Sequence, residues 1–273
     1  MAPQQHRPRK RLTVADLADL KGKRQLTMLR IFTVEEAAAA EEAGIDVVSA
    51  PPELVTHPQY RQVAPSLFTM TGRNSRVMGT ASQMLQFAGE MLDADADAVY
   101  SSGSLDTIRF LVGEHIPVVG HVGLVPSRAS SMGGFRAIGK TADTAWQVYQ
   151  DCVAHEEAGA IAVEIEVVPA EIATEISRRM TKLSLWSMGS GSGCDAQYLF
   201  AMDILGSHRD HIPRHAKMYR NFADEFDRLQ RERVAAFREF RDDVESGAFP
   251  EEGHIVKIDS DELADFRSRL HNG

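Results

Sequence analysis

Glu164 and Glu166 stand two residues apart in the run Ile161-Ala-Val-Glu-Ile-Glu-Val-Val-Pro169, an otherwise apolar stretch ending at a proline. Side chains alternate along a strand, so both carboxylates leave one face, separated by roughly 6.6 Å of rise. Two acids on an apolar strand are costly unless they are solvated, paired or employed. Ile161, Val163, Ile165, Val167 and Val168 give the pattern of a strand covered on both sides, which argues against simple solvation. The chemistry such a pair supports is general-base catalysis, one carboxylate having its proton affinity raised by burial and by its like-charged neighbour.

Positioning those acids requires a sheet with one functional edge. Short β-rich runs alternate with longer helical patterns, the βαβ signature of a parallel sheet. Strands are expected at 25–32, 45–50, 66–71, 97–102, 116–121, 160–166 and 183–187, with a weaker one at 201–205. Helices are expected at 33–44, 81–92, 104–114, 142–158 and 170–180; Thr33 and Glu36 read as a capping box, and Gly44 as the stop. About eight β units in 273 residues fit an α/β fold, a closed (β/α)8 TIM-type barrel with additional C-terminal helices. Barrel chemistry sits at the C-terminal strand ends. The expected ends include Ser102, His121 and Glu166, so His121 and Glu166 face one cavity as a candidate catalytic pair.

Three divisions of the chain follow: a basic flexible tail at 1–20, a barrel domain at 21–213, and a helical extension at 214–273 that packs on the barrel or on a neighbouring subunit. The extension carries Tyr219, Phe222, Phe226, Phe237 and Phe240, a packing stripe. A formal charge of −9, with 30 Lys and Arg, argues against nucleic-acid binding, and the basic cluster from His6 to Arg11 reads as a solvated tail. No apolar run reaches the ~18 residues of a membrane span, and the N-terminus lacks a signal-peptide core. Cys152 and Cys194 form neither a disulfide framework nor a metal signature. A cytoplasmic protein acting on a small molecule is the expectation. Gly189-Ser-Gly-Ser-Gly193, with Ser190, reads as an anion cradle of backbone N–H groups; Cys194 reads as a structural thiol, and His208, His211 and His215 as packing residues.

Ile116-Pro-Val-Val-Gly-His-Val-Gly-Leu-Val-Pro126 and Gly133-Gly-Phe135 resemble the signature of the ketopantoate (3-methyl-2-oxobutanoate) hydroxymethyltransferase family. Further matches run in the same order: Glu166-Val-Val-Pro169 with Glu171-Ile-Ala, Gly189-Ser-Gly191, Asp203 to Gly206, His211-Ile-Pro-Arg-His-Ala-Lys217 and Val244-Glu-Ser-Gly-Ala-Phe-Pro250. The resemblance implies a barrel of the phosphoenolpyruvate mutase and isocitrate lyase type and a homo-oligomer. It also implies transfer of a one-carbon unit from methylenetetrahydrofolate to a branched 2-oxo acid held on magnesium. Glu166 falls on the family's base and His121 on a pocket histidine.

The front half departs from that pattern. Pro52, within Val48-Ser-Ala-Pro-Pro-Glu53, stands where the family has a metal-binding Asp; Gly72 replaces a second acid, and Tyr100-Ser101-Ser102 replaces a Lys-Ile-Glu. Magnesium favours octahedral oxygen coordination through carboxylates, so this chain is expected to hold no metal unless Glu53 and Glu164 rebuild part of a site. Tyr100, Ser102, Arg73 and His121 then supply an anion hole in the metal's place. Three functions are open. One is hydroxymethyl transfer or its aldol-type reverse; the second is a metal-independent lyase, isomerase, hydrolase or decarboxylase on another carbonyl compound. The third is an inactive homologue serving binding or oligomerisation.

Overall fold

The computed structural model describes residues 9–72, 80–131 and 133–272. They fall into two compact units, 1–220 and 221–273. In the first, eight parallel strands close into a barrel in chain order. These are β1 Leu26–Arg30, β2 Val47–Ala50, β3 Phe68–Thr71, β4 Ala98–Tyr100, β5 Val118–Gly123, β6 Ala162–Glu166, β7 Ser184–Met188 and β8 Ala196–Phe200. Helices α1 Val14–Leu20, α2 Val34–Ala43, α3 Pro52–Val55, α4 Tyr60–Val63, α5 Ala81–Asp93, α6 Leu105–Gly113, α7 Ala142–Glu157, α8 Ala170–Arg179 and α9 Ala201–Leu205 precede or connect them.

Local signals set the element ends. Thr33 Oγ1 accepts the Glu36 N–H at 3.1 Å, and Gly44 closes α2 at φ +82, in the left-handed region where glycine has no Cβ to clash. The Glu36 carboxylate reaches past Thr33 to the Phe32 N–H at 2.7 Å, so the expected box closes one residue earlier. The expected strand at 201–205 is a helix. The eighth strand is Ala196–Phe200, which runs into the helix at Ala201 with no glycine, proline or polar residue between them to mark the boundary.

Alternation along the strands sorts two cores. Outward residues such as Val48, Val99, Ile165 and Leu185 pack under the helices. Inward residues Leu26, Met28, Val47, Phe68, Met70, Ala98, Val119, Ala162, Trp186, Ala196 and Tyr198 fill the barrel, and Leu17 of α1 joins them. The stretch expected as tail is therefore partly structured. Thr13 caps α1 with Asp16, Arg9 donates to the Gly44 and Ile45 carbonyls, and Arg11 meets Asp95 through both terminal nitrogens at 2.9 and 2.8 Å.

At the N-terminal rim a device recurs. Asp46, Asp97 and Asp195 each directly precede an even-numbered strand, accept a backbone N–H of the neighbouring odd strand, and pair with a cation. Asp46 takes Thr27 N–H (2.9 Å) and Arg24 (2.9 Å). Asp97 takes Thr69 N–H (2.7 Å) and Arg61 (3.0 Å). Asp195 takes Leu185 N–H (2.8 Å) and Lys21 (2.7 Å).

The second unit contains α10 Phe222–Ser246, capped by Asn221 and stopped at Gly247, and α11 Ser260–Asn272. The long helix begins eight residues after the expected 214. Phe222 meets Phe226 edge-on at 6.2 Å, and Phe240 meets Phe249 at 5.4 Å. Among the described residues no helix is long and apolar enough to cross a membrane.

Candidate active site

Most strands enter the barrel with apolar inward residues, and several leave it with chemically capable ones. The inward series are Leu26-Met28-Arg30 on β1, Val47-Ser49 on β2, Ala98-Tyr100-Ser102 on and after β4, Val119-His121 on β5, Ala162-Glu164-Glu166 on β6 and Ala196-Tyr198-Phe200 on β8. Their ends, with Phe32, Gly72, Pro126, Ser127 and Met188, line a cavity of about 680 Å³ at the C-terminal mouth. That lies within the ~300–1,000 Å³ usual for small-molecule sites. A cavity of about 670 Å³ at the opposite rim is lined by Lys21, Arg24 and Asp195, whose charges are consumed by the ion pairs that close the barrel.

His121 is the hub. It is the register partner of Glu164 across β5 and β6, and Gly123 is the partner of Glu166. Its Nδ1 lies 3.3 Å from Glu164 Oε2, its Nε2 3.2 Å from Glu166 Oε2, and both carboxylates are nearly buried. Tyr100 OH is 2.8 Å from Nδ1, and Nε2 is 2.8 Å from the Leu124 carbonyl, which can only accept, so Nε2 carries a proton. Burial alone would lower the ring's pKa, but the hydrogen bonds to Glu164 and Glu166 outweigh it and hold the ring well above its usual value. The ring is thus gripped by two carboxylates that favour its protonated form. Burial raises the Tyr100 and Tyr198 phenols, which keep their protons.

The backbone makes room for this hub. Gly123 sits at φ +80, and a Cβ there would lie 2.4 Å from the Glu166 carbonyl oxygen, so only glycine lets Leu124 turn back to bond β6 and the His121 ring. Gly72 is required by a neighbour: a Cβ on it would come within 2.8 Å of the Tyr100 Cβ. Tyr100 therefore fills space that any side chain at 72 would need.

The structure gathers Glu166, His121, Glu164, Tyr100 and Ser102 around the cavity. Glu53 does not join them. It is exposed in the first turn of α3, whose Pro52 is buried away from the mouth, and Ser49 is the residue β2 offers to the cavity. Ser190 is a buried clasp rather than an anion-binding group: its hydroxyl donates to Ile165 O at 2.9 Å and accepts Val168 N–H at 3.0 Å, and its own N–H is taken by Ser187 Oγ. Arg73 lies outside the described residues. Cys194 is buried and its thiol pushed up to about 12 by desolvation; His208 pairs with Asp203 at 2.9 Å. Arg30, Ser49 and Tyr198 were not singled out in the sequence. Arg30 was legible by phase, because it continues the inward series of Leu26 and Met28.

The donor set does not suit a magnesium ion. Among the described residues no three His, Cys, Asp or Glu side chains converge as ligands. Both oxygens that Glu164 and Glu166 turn inward lie 3.3 and 3.2 Å from the His121 ring nitrogens, and Arg30 adds positive charge to the cavity, a setting unlike the free carboxylates that magnesium favours.

Residues 75–252 match the family model described as ketopantoate hydroxymethyltransferase. The 3-methyl-2-oxobutanoate hydroxymethyltransferase 1 of Methylibium petroleiphilum is 30% identical over 282 residues, covering 94% of this chain and 93% of that protein. The 3-methyl-2-oxobutanoate hydroxymethyltransferase of Chloroflexus aurantiacus is 31% identical over 278 residues, covering 93% and 96%. A phosphonopyruvate hydrolase solved with oxalate and Mg++ shares the fold, with a TM-score of 0.50 at 15% identity over 95% of this chain and 98% of that one.

Proposed function

The chain belongs to the ketopantoate hydroxymethyltransferase family, and on that premise we propose that it forms a carbon–carbon bond at the carbon beside the carbonyl of a 2-oxo acid, without a metal ion. The observation that carries this reading is the hub of Glu166, His121, Glu164 and Tyr100 at the barrel mouth. Glu166 turns Oε2 to the His121 ring, while its Oε1 has no hydrogen-bond partner among the described residues. Glu166 Oε1 takes the proton from the carbon next to the carbonyl; the C–H electron pair becomes the carbon–carbon π bond, and the carbonyl π pair moves onto oxygen to give the enolate. The positive ring beside it and the protonated Tyr100 hydroxyl, the one donating the hydrogen bond, stabilise that oxygen, the service an oxyanion hole provides. Glu164 keeps the ring charged and oriented. The one-carbon donor, methylenetetrahydrofolate by family membership, supplies the electrophilic carbon that the enolate attacks; that carbon's bonds to nitrogen break, water supplies the hydroxyl, and tetrahydrofolate leaves.

The lyase direction uses the same groups in reverse, and the presence of Pro52, Gly72 and Ser102 at the family's acidic positions favours a substrate held differently from the family's own. A homo-oligomer is part of the same proposal: α10 exposes Phe226, Phe237 and Phe240, and light scattering on the purified protein checks it.

The test is proton NMR of 3-methyl-2-oxobutanoate in D2O with the protein and EDTA. Loss of the C3 proton signal at a rate EDTA does not change, followed by ketopantoate on adding methylenetetrahydrofolate, is the expected result. Exchange that vanishes with EDTA and returns with magnesium overturns the metal-free mechanism. Neither exchange nor product overturns the substrate.

A further inference from the structure

Arg30 is a cation for which the cavity provides no anion. Along the N-terminal rim Lys21, Arg24 and Arg61 each have an aspartate within 3.0 Å. Arg30 has no carboxylate within ion-pair distance among the described residues. It is half-buried on β1, its Nη1 donates to the buried Ser49 hydroxyl at 2.7 Å, and its guanidinium lies 5.3 Å from the centre of the Phe32 ring. Those contacts fix the group's direction and leave most of its five N–H donors unused. A partly desolvated guanidinium held in one orientation without a counter-ion costs free energy unless an anion arrives. Its fork matches a carboxylate, which it binds through two parallel hydrogen bonds.

The two acids in the cavity cannot serve as that counter-ion, because both are committed to His121. They also stand on the far wall. In a closed barrel of eight strands in chain order, β1 lies four strands from β5 and three from β6.

We propose that Arg30, oriented by Ser49, is the anchor for the carboxylate of the 2-oxo acid. The proposal rests on the reading above and adds an orientation to it: the carboxylate points to β1, and the carbon that loses its proton points to Glu166 on β6. It also specifies the ligand class. A small carboxylate whose acidic C–H is one carbonyl away bridges the two walls; an uncharged carbonyl compound leaves Arg30 unmatched.

Calorimetric titration of 3-methyl-2-oxobutanoate in EDTA tests it with the wild type, Arg30→Met and Arg30→Lys. Arg30→Met is expected to weaken binding about 10- to 150-fold, the range for losing a hydrogen-bonded charge. Arg30→Lys recovers part of that loss, because the charge persists while the fork is gone, a rescue that general damage to the cavity would not give. Arg30→Met binding as tightly as wild type overturns the anchor and leaves the 2-oxo acid reading standing. So does Arg30→Lys binding no better than Arg30→Met. Wild-type binding that appears only when magnesium is added overturns the anchor in favour of a metal. No binding in either condition overturns the 2-oxo acid reading and this proposal with it.

Discussion

Replacing Glu164 by Gln removes one of the two charges that grip His121 while keeping size and an acceptor oxygen. His121 and Glu164 side chains are 3% and 8% exposed, so solvent screens their interaction little. Breaking a buried pair by removing one partner typically costs about 3–5 kcal/mol. Glu166, 3.2 Å from Nε2, still supports the ring in the variant, so a loss at or just below that range, about 2–3 kcal/mol at pH 6, is expected.

The pH dependence is the sharper readout. The folded ring holds its proton well above the ordinary value, whereas the unfolded ring releases it near pH ~6.5. Above that pH the native state carries one more proton than the unfolded state, so stability falls by about 1.4 kcal/mol per pH unit until the folded ring itself titrates. The contribution is complete below pH ~6.5 and is lost as pH rises. In Glu164→Gln the ring is less strongly held, so the descent ends sooner and the two stability curves converge at alkaline pH. Urea unfolding followed by circular dichroism between pH 6 and 10 gives both curves. A wild-type minus variant difference that is constant across that range would refute the charged hub.

Glu166→Gln should slow deuterium exchange of the 2-oxo acid by about 10²- to 10⁴-fold, the usual worth of a general base, with calorimetric binding retained. Gly72→Ala must displace Tyr100, so exchange should drop at least tenfold and stability by about 1–3 kcal/mol from overpacking; NMR exchange and thermal unfolding read the two effects. Ser190→Ala strands a buried carbonyl and a buried N–H on either side of Glu166. A loss of about 2 kcal/mol, or roughly 4–8 °C in Tm by calorimetry, is expected, together with slower exchange.

Much of the barrel was legible because its signals are local. Thr33 and Gly44 mark α2 by cap chemistry, and the phase of Glu164 and Glu166 along an apolar strand directs both to one side whatever the fold around them. What escaped was set by the chain's return on itself. Tyr198 to Leu205 carries no punctuation between strand and helix, and β8 is specified by its pairing with β1. Glu53 lies on α3, beyond Ser49, the residue β2 offers to the cavity, a placement that composition does not encode. Gly72 read as a lost ligand; its steric debt to Tyr100 emerges only when β3 and β4 lie side by side. Ser190 sat in a glycine-rich segment that suggests anion binding, yet its hydroxyl is saturated by Ile165 of β6 and by Val168 just after it, 25 and 22 residues away in sequence.

The aspartates of the N-terminal rim separate two tasks that share one barrel. Asp46, Asp97 and Asp195 lock neighbouring strands together by backbone and ion-pair contacts at one end, while the reactive side chains project from the other, a strand's length of roughly 17 Å away. Perturbations that far apart with no shared partner combine additively. Substitutions among the side chains at the mouth therefore leave the closure beneath it untouched. In this architecture the catalytic repertoire is a replaceable surface, and the lineage that carries it can change its chemistry while inheriting its fold intact.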